Sequence, residues 1–324
     1  MSLSRLTARL FLNKAEIMSK VNYICVTKKI EEKSEDLKFI VLPFYKNGEP
    51  LKDGKKWGMT LLSAGSMRFR WNEKNILREK TLKAIAEELH PHICSGECAR
   101  DEQICNCQRQ IVSIELIHSK TVFEITSQRS SFNKKGDGLI TDNKMLVPVV
   151  TVADCVPLFL YDSKKEVFAA VHSGWKGTGI IGEAVRLAVE KYGSKAEDIC
   201  IAIGPHIGRE CYCIDENRKN YFLENFGECV AKLKNENSDS IQKTADGKLL
   251  SYSLDLTKAN LFVLKKAGIL EENITVATDC TCCSKFSDGK NVFGSFRRQA
   301  AFLPESVSLD EKSRAMTVQA AFVI

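Results

Sequence analysis

Val147-Pro-Val-Val-Thr-Val152, Pro157-Leu-Phe-Leu-Tyr161 and Val167-Phe-Ala-Ala-Val171 are three short apolar runs, each bounded by polar or turn-forming residues. They do not alternate apolar with polar, so they do not read as strands with one wet face. Continuous runs of this length, rich in Val and aromatic residues, suit strands buried on both sides. Helical periodicity follows from Thr178 to Tyr192 and stops at Gly193, a residue suited to a helix C-terminus. Ile199-Cys-Ile-Ala-Ile203 is a further buried strand candidate, running into Gly204-Pro205.

The pattern continues in both directions. Helices are expected from Asp215 to about Leu233 and from Asp255 to Ala267. Strands are expected at Ile274–Ala277, Val292–Phe296 and Met316–Val323. Upstream, Phe39–Pro43 reads as a strand and Leu77–Leu89 as a helix, with Lys46–Pro50 and Asp53-Gly54 as turns. Strands alternating with helices place the chain in the α+β class, with α/β-type layers in which mixed sheets are flanked by helices. No Gly/Ser/Pro-rich linker, repeat or low-complexity tract divides it. The 324 residues are therefore expected to form one large domain.

Composition narrows the function. Net charge is +6, and Lys and Glu are interspersed from Lys28 to Lys38 instead of segregating. That is a solvated surface, not the basic stripe of a nucleic-acid module, and no nucleic-acid partner is expected. No run of about 18 apolar residues occurs, so no membrane helix is expected. The opening segment from Met1 to Lys20 lacks the apolar core of a secretory signal. An odd count of 13 Cys in a long chain argues against a disulfide-stapled secreted scaffold. The expected setting is a reducing cytoplasm, where thiols serve as nucleophiles, metal ligands or inert fillers.

Three positions combine a polar side chain with a strand end. His172 follows Val171 and leads into Ser173-Gly-Trp-Lys-Gly177, whose glycines permit close backbone approach. Asp154-Cys155 follows the strand ending near Val152. His118 stands at a strand-to-turn transition in Glu115-Leu-Ile-His-Ser119. Two readings stay open from spacing alone. Cys155 is a nucleophile with His172 as its base, or Cys155 and His172 join His118 as a three-ligand catalytic metal site. The adjacent Arg297 and Arg298 form an anion-site candidate. Two Cys groups remain: Cys280, Cys282 and Cys283 near the C-terminus, and Cys94, Cys98, Cys105 and Cys107 beside His90 and His92. Neither has the spacing of a structural zinc motif.

Taken together, Thr151–Pro157, Ala169–Gly177, Ile203–Gly208 with Cys211-Tyr212, and Asp279–Cys282 with Phe293–Arg298 resemble the successive blocks of the laccase-domain family. This is the YfiH-like family, named multicopper polyphenol oxidase in older usage and purine nucleoside phosphorylase in newer. The resemblance covers residues 111–298, with a divergent N-terminal third of about residues 1–110. It implies a Zn2+ ion held by His118, Cys155 and His172, and a fold similar to Cys–His deamidase toxins. It also implies phosphorolysis of adenosine, inosine or guanosine to base and ribose 1-phosphate, with adenosine deamination beside it. Purine nucleosides and phosphate are then the partners. The expected roles are Asp154 as orienter or proton relay beside Cys155 and His172, with Arg297, Arg298 and Lys176 binding phosphate. Departures exist as well. The family's Arg- and Gly-bearing N-terminal loop is reduced to Leu61–Ser66, Lys176 replaces an Arg, and the Cys94–Cys107 segment is outside the pattern.

The older name fails on arithmetic. A blue-copper centre uses two His and a Cys, and a trinuclear copper cluster needs many more imidazoles than five His can supply. Copper is left as an adventitious or alternative ion for low-level polyphenol oxidation. A Cys155–His172 hydrolase or deamidase is a competing reading, and a non-catalytic metal-binding protein is another. The sequence carries no signal for oligomeric state.

Overall fold

The structure is a computed structural model that describes residues 20–33, 37–89, 109–233, 242–243, 249–304 and 306–324. The cysteine-rich segment with His90, His92, Cys94, Cys98, Cys105 and Cys107 lies outside the described residues.

Two mixed sheets dominate. Their strands are β1 (Asn22–Ile24), β2 (Phe39–Pro43), β3 (Lys56–Thr60), β4 (Gln110–Ser113), β5 (Val122–Glu124), β6 (Gly138–Thr141), β7 (Leu146–Val152), β8 (Val156–Asp162), β9 (Val167–Ser173), β10 (Cys200–Ile203), β11 (Ile274–Ala277) and β12 (Gln319–Val323). A seven-stranded sheet has the order β1-β11-β10-β8-β9-β6-β5, and a five-stranded sheet the order β2-β3-β12-β7-β4. Each contains both parallel and antiparallel pairs.

The uninterrupted apolar runs are explained by what lies on each side. In β8, Val156, Leu158 and Leu160 join one core cluster, while Phe159 and Tyr161 join another. β9 divides the same way, with Val167, Ala169 and Val171 on one face and Phe168 and Ala170 on the other. The first face meets α1 (Ile180–Tyr192), through Ile180, Ile181, Ala184, Val185 and Ala188. The second meets the other sheet through Val150 and Val152 of β7 and Ala321 and Val323 of β12. The five-stranded sheet in turn buries Val147, Val149, Ala320 and Phe322 against Leu82, Ile85 and Ala86 of the helix Ile76–Leu89. The result is a helix–sheet–sheet–helix sandwich of the α+β class. Each fully buried aliphatic side chain contributes roughly 1.5–3 kcal/mol to holding these layers together.

Three expected elements are corrected. The helix expected to reach Leu233 is Glu216–Phe226, because Gly227 adopts a φ of 70° and the chain re-enters as strand Val230–Lys232. No strand forms at Val292–Phe296. Val292 and Phe293 are core residues on an irregular segment, and Ser295 caps the short helix Phe296–Gln299 by accepting the Arg298 N–H at 3.2 Å. A short apolar run cannot by itself distinguish buried loop from strand. The last strand starts at Gln319, three residues after Met316. No helix among the described residues is long and apolar enough to cross a membrane.

Candidate metal centre

The topology brings the three expected ligand residues together, although His118 stands not at a strand end but five residues past the strand that ends at Ser113. β7 belongs to one sheet and β8 to the other, so the turn Ala153–Cys155 is where the chain crosses between sheets. β8 pairs antiparallel with β9 in a register that sets Val156 opposite Ser173 and Pro157 opposite His172. Cys155 therefore emerges beside His172. His118 comes from the segment following β4.

The ligand atoms of His118, Cys155 and His172 all lie within 4.8 Å of one another. Cys155 Sγ and His118 Nε2 are 4.0 Å apart, and the two imidazoles cross edge to face with centroids at 4.8 Å. His172 is buried, Cys155 is partly exposed and His118 faces solvent. Tetrahedral zinc, with bonds of about 2.0–2.3 Å, holds its ligands roughly 3.5 Å apart. The Cys155–His118 pair thus needs to close by about half an ångström and no pair by more than about 1.3 Å, and two imidazoles with one thiolate suit zinc chemistry.

Asp137 organises this centre. His172 Nδ1 donates to its Oδ1 at 2.9 Å, since an ionised carboxylate can only accept. The same carboxylate takes the backbone N–H of His118 at 3.0 Å, the backbone N–H of Ser119 at 2.5 Å and the Ser119 hydroxyl at 2.7 Å. Its backbone carbonyl accepts the His172 N–H at 2.7 Å. Nε2 of His172 is thereby left as the ligand atom. Burial would raise the Asp137 pKa, but the hydrogen bonds from His172 and Ser119 hold it below the usual carboxylate range. Burial would also raise the Cys155 thiol, yet the charge of His172 and the hydrogen bonds of both imidazoles bring it down to about 6. Burial pulls His172 the other way, and the Cys155 thiolate and Asp137 carry it up to about 10.

Backbone shape is specialised here. His118 and Asp154 are both non-glycine residues in the left-handed region, at φ of 59° and 85°. Gly174 has no room for a side chain: an added Cβ would meet His118 Cδ2 at 2.7 Å and Cys155 Sγ at 3.3 Å. At Gly177 an added Cβ would fall 2.7 Å from the Ser119 carbonyl oxygen. The two glycines thus let the ligand residues and their loop approach each other.

The other expected residues divide. The Asp154 carboxylate is engaged, accepting from Thr281 Oγ1 at 2.6 Å and from the Arg297 backbone N–H at 2.6 Å. Arg298 donates to the carbonyls of Thr281 at 2.9 Å and Cys282 at 2.6 Å, and to that of Phe293. Its guanidinium ties backbone segments together. Arg297 donates to the Cys213 carbonyl at 3.2 Å and lies 5.7 Å from the Tyr212 ring. Lys176 is exposed, with its ammonium 5.4 Å from the Trp175 ring. His206 is buried and both nitrogens are used: Nδ1 donates to the Gly204 carbonyl, and Nε2 accepts from Thr257.

Sequence reading missed Asp137, Arg218 and Thr281. Gly136-Asp-Gly138 looks like an ordinary turn, and only its position immediately before a buried strand hints at more. Arg218 stacks 4.5 Å from Trp175 and reaches the Tyr212 hydroxyl at 3.4 Å, while Tyr212 lies close enough to Cys155 for the thiolate to raise its pKa, after burial has done so. Trp175, Tyr212, Arg218 and Arg297 therefore supply aromatic faces and positive charge near the centre.

Purine nucleoside phosphorylase YlmD of Bacillus subtilis (strain 168) is 35% identical over 150 residues, which is 46% of this chain and 50% of that protein. Adenosine deaminase RL5, from an unknown prokaryotic organism, is 33% identical over 152 residues, 47% of this chain and 54% of that one. The chain thus spans about half the length of these relatives. In fold it is similar to the crystal structure of YfiH from Bacillus licheniformis, with a TM-score of 0.61 and 23% identity over 83% of this chain and 92% of that one. YlmD from Geobacillus stearothermophilus matches with a TM-score of 0.60 and 24% identity over 87% and 95%. The model of the multi-copper polyphenol oxidoreductase laccase family matches residues 97–302, a stretch that contains every element of the centre, and the chain belongs to that family.

Proposed function

We propose that this chain is a purine nucleoside phosphorylase working with zinc held by His118, Cys155 and His172. The observation that carries the reading is the convergence of these three donors with Asp137 fixing the tautomer of His172. When bound, zinc supplies Lewis acidity at an oxygen of substrate or water. Asp137 holds His172 with Nε2 toward the centre and anchors His118 through its backbone. Asp154 is a positioning residue that ties Cys155's turn to Thr281 and Arg297. Arg297, Arg218 and Lys176 provide positive charge for phosphate, and Trp175 and Tyr212 provide faces for a purine.

The reaction balances without a further reagent. Phosphate oxygen forms a bond to C1′ as the C1′–N9 bond breaks, and its electron pair leaves with the purine. The proton lost by phosphate equals the one gained by the base. Adenosine deamination at the same centre is the second activity in this reading, supported by the likeness to a relative named adenosine deaminase.

The test is adenosine incubated with and without phosphate on protein of measured zinc content, with products separated by chromatography. Adenine and ribose 1-phosphate appearing only with phosphate, and lost in Cys155→Ala and His172→Ala together with zinc, is the expected result. A different reading has one observation in its favour: the lowered Cys155 thiol beside His172 is the arrangement of a Cys–His hydrolase. Full turnover by metal-free protein, with a thiol-reactive trap labelling Cys155, would replace the phosphorylase reading with that one.

A further inference from the structure

A second group of sulfurs converges elsewhere in the fold. Sγ atoms of Cys211, Cys280 and Cys283 lie within 4.8 Å of one another. They come from two segments far apart in sequence. Cys211 ends the short turn Arg209–Cys211, and Cys280 and Cys283 sit in the turn that follows β11. Apart from the contact of Gly208 N–H with Cys280 Sγ, backbone and hydroxyl groups hold the two segments. His206 and Cys280 form a parallel backbone bridge, and Thr281 N–H donates to the His206 carbonyl at 3.0 Å. Cys280 N–H donates to Ser284 Oγ at 2.9 Å, Ser284 N–H returns to the Cys280 carbonyl at 2.9 Å, and Arg298 clamps the carbonyls of Thr281 and Cys282. The backbone is thus fixed so that three thiols meet.

Gly208 N–H donates to Cys280 Sγ at 3.1 Å, so the 206–211 segment reaches this sulfur directly. A disulfide would use two sulfurs and leave the third stranded against it. A soft d10 cation satisfies all three at once, releasing their protons to solvent. Cys283 is exposed, so an ion has a path in from solvent.

We infer that Cys211, Cys280 and Cys283 bind a zinc ion, distinct in every ligand from the centre at His118, Cys155 and His172. Three protein ligands leave one position on such an ion open, and Thr281, between two of them, holds the Asp154 carboxylate next to Cys155.

The experiment compares full-length wild type, Cys211→Ser/Cys283→Ser and Cys155→Ala/His172→Ala, each reloaded with zinc under reductant and freed of excess. The Cys211→Ser/Cys283→Ser protein is expected to hold one zinc fewer than wild type, while Cys155→Ala/His172→Ala keeps that ion. Cobalt(II) loaded instead should show a near-ultraviolet sulfur-to-metal band in Cys155→Ala/His172→Ala that disappears when Cys211 and Cys283 are also replaced. Should the double cysteine variant fail to fold, Cys283→Ser alone removes one exposed ligand, and zinc affinity against a chromogenic chelator should fall at least about tenfold. Equal zinc content and affinity in wild type and the cysteine variants would overturn the site. So would peptide mapping that finds a disulfide within this trio in protein purified with thiols blocked. Loss of zinc confined to the cysteine variants, with none lost in Cys155→Ala/His172→Ala, would sink the catalytic zinc reading and leave this one standing.

Discussion

The carboxylate of Asp137 accepts Nδ1–H of His172 at 2.9 Å and, through the same Oδ1, the backbone N–H of His118 at 3.0 Å. One buried side chain therefore orients two of the three donors, one through its ring and one through its backbone. Replacing it acts on both. Asp137→Asn keeps the volume but gives up the charge that supports His172, and zinc affinity should fall about 10–100-fold, the usual cost of losing such a partner. Competition with a chromogenic chelator measures this. Asp137→Ala should lose more than Asp137→Asn, and equal affinity in all three proteins would remove Asp137 from the centre.

Gly174 tests the steric side of the same centre. An added methyl would stand 2.7 Å from His118 Cδ2 and 3.3 Å from Cys155 Sγ, so Gly174→Ala must displace a ligand. Overpacking of this kind costs about 1–3 kcal/mol. The expected phenotype is loss of zinc and turnover with circular dichroism retained. Retention of full zinc content would show that the loop relaxes freely.

Some of this is legible in the residues alone. Val156–Asp162 and Val167–Ser173 are mostly apolar because helices cover one face and a second sheet the other, and that double burial is written into the run itself. His118, Cys155 and His172 stand out because each interrupts apolar texture at what reads as a strand end. Their meeting does not, since it depends on the crossing of the chain from one sheet to the other at Ala153–Cys155. Asp137 is hidden by its own neighbours, because Gly-Asp-Gly is what a solvated turn looks like. Arg298 is hidden for the opposite reason: an arginine reads as an anion site, and nothing in sequence reveals that three of its donors go to backbone carbonyls.

Lys55 gives a prediction about pH. Its ammonium is buried above the Phe168 ring at 4.0 Å and donates to the Lys144 carbonyl at 3.4 Å. Burial first, then Arg109 and Lys144, lower its pKa from 10.5 to about 7. The unfolded chain consequently binds more protons between pH 7 and 10.5, and stability rises with pH across that window. Below pH 7 the folded protein carries the charge at full cost. The slope attributable to this residue is at most about 1.4 kcal/mol per pH unit. Lys55→Met, which keeps the apolar stem, should gain stability at pH 7 by an amount that shrinks toward pH 10. Urea unfolding of both proteins at several pH values reads the difference, and a constant offset would show that Lys55 is not the titrating group.

Arg298 and Lys176 separate support from binding. Arg298 holds three backbone carbonyls, two of them in the 280–283 turn, and that turn reaches Asp154 through Thr281. Hydrogen bonds from a charged donor are worth about 1.5–3 kcal/mol each when buried, and Arg298 is partly exposed. Arg298→Ala should therefore lower unfolding free energy by about 2–4 kcal/mol, with Arg298→Lys recovering little because an ammonium cannot span the same carbonyls. At a temperature where both proteins are folded, its KM for phosphate should stay near the wild-type value. Lys176 is exposed and makes no buried contact that its loss would strand, so Lys176→Ala should leave the melting temperature within about 1 °C, as surface substitutions do. If it draws phosphate toward the centre, KM for phosphate rises a few-fold and the difference shrinks as ionic strength screens the charge. The reverse pattern, with phosphate KM raised by Arg298→Ala and untouched by Lys176→Ala, would mean that Arg298 leaves its carbonyls to meet the substrate.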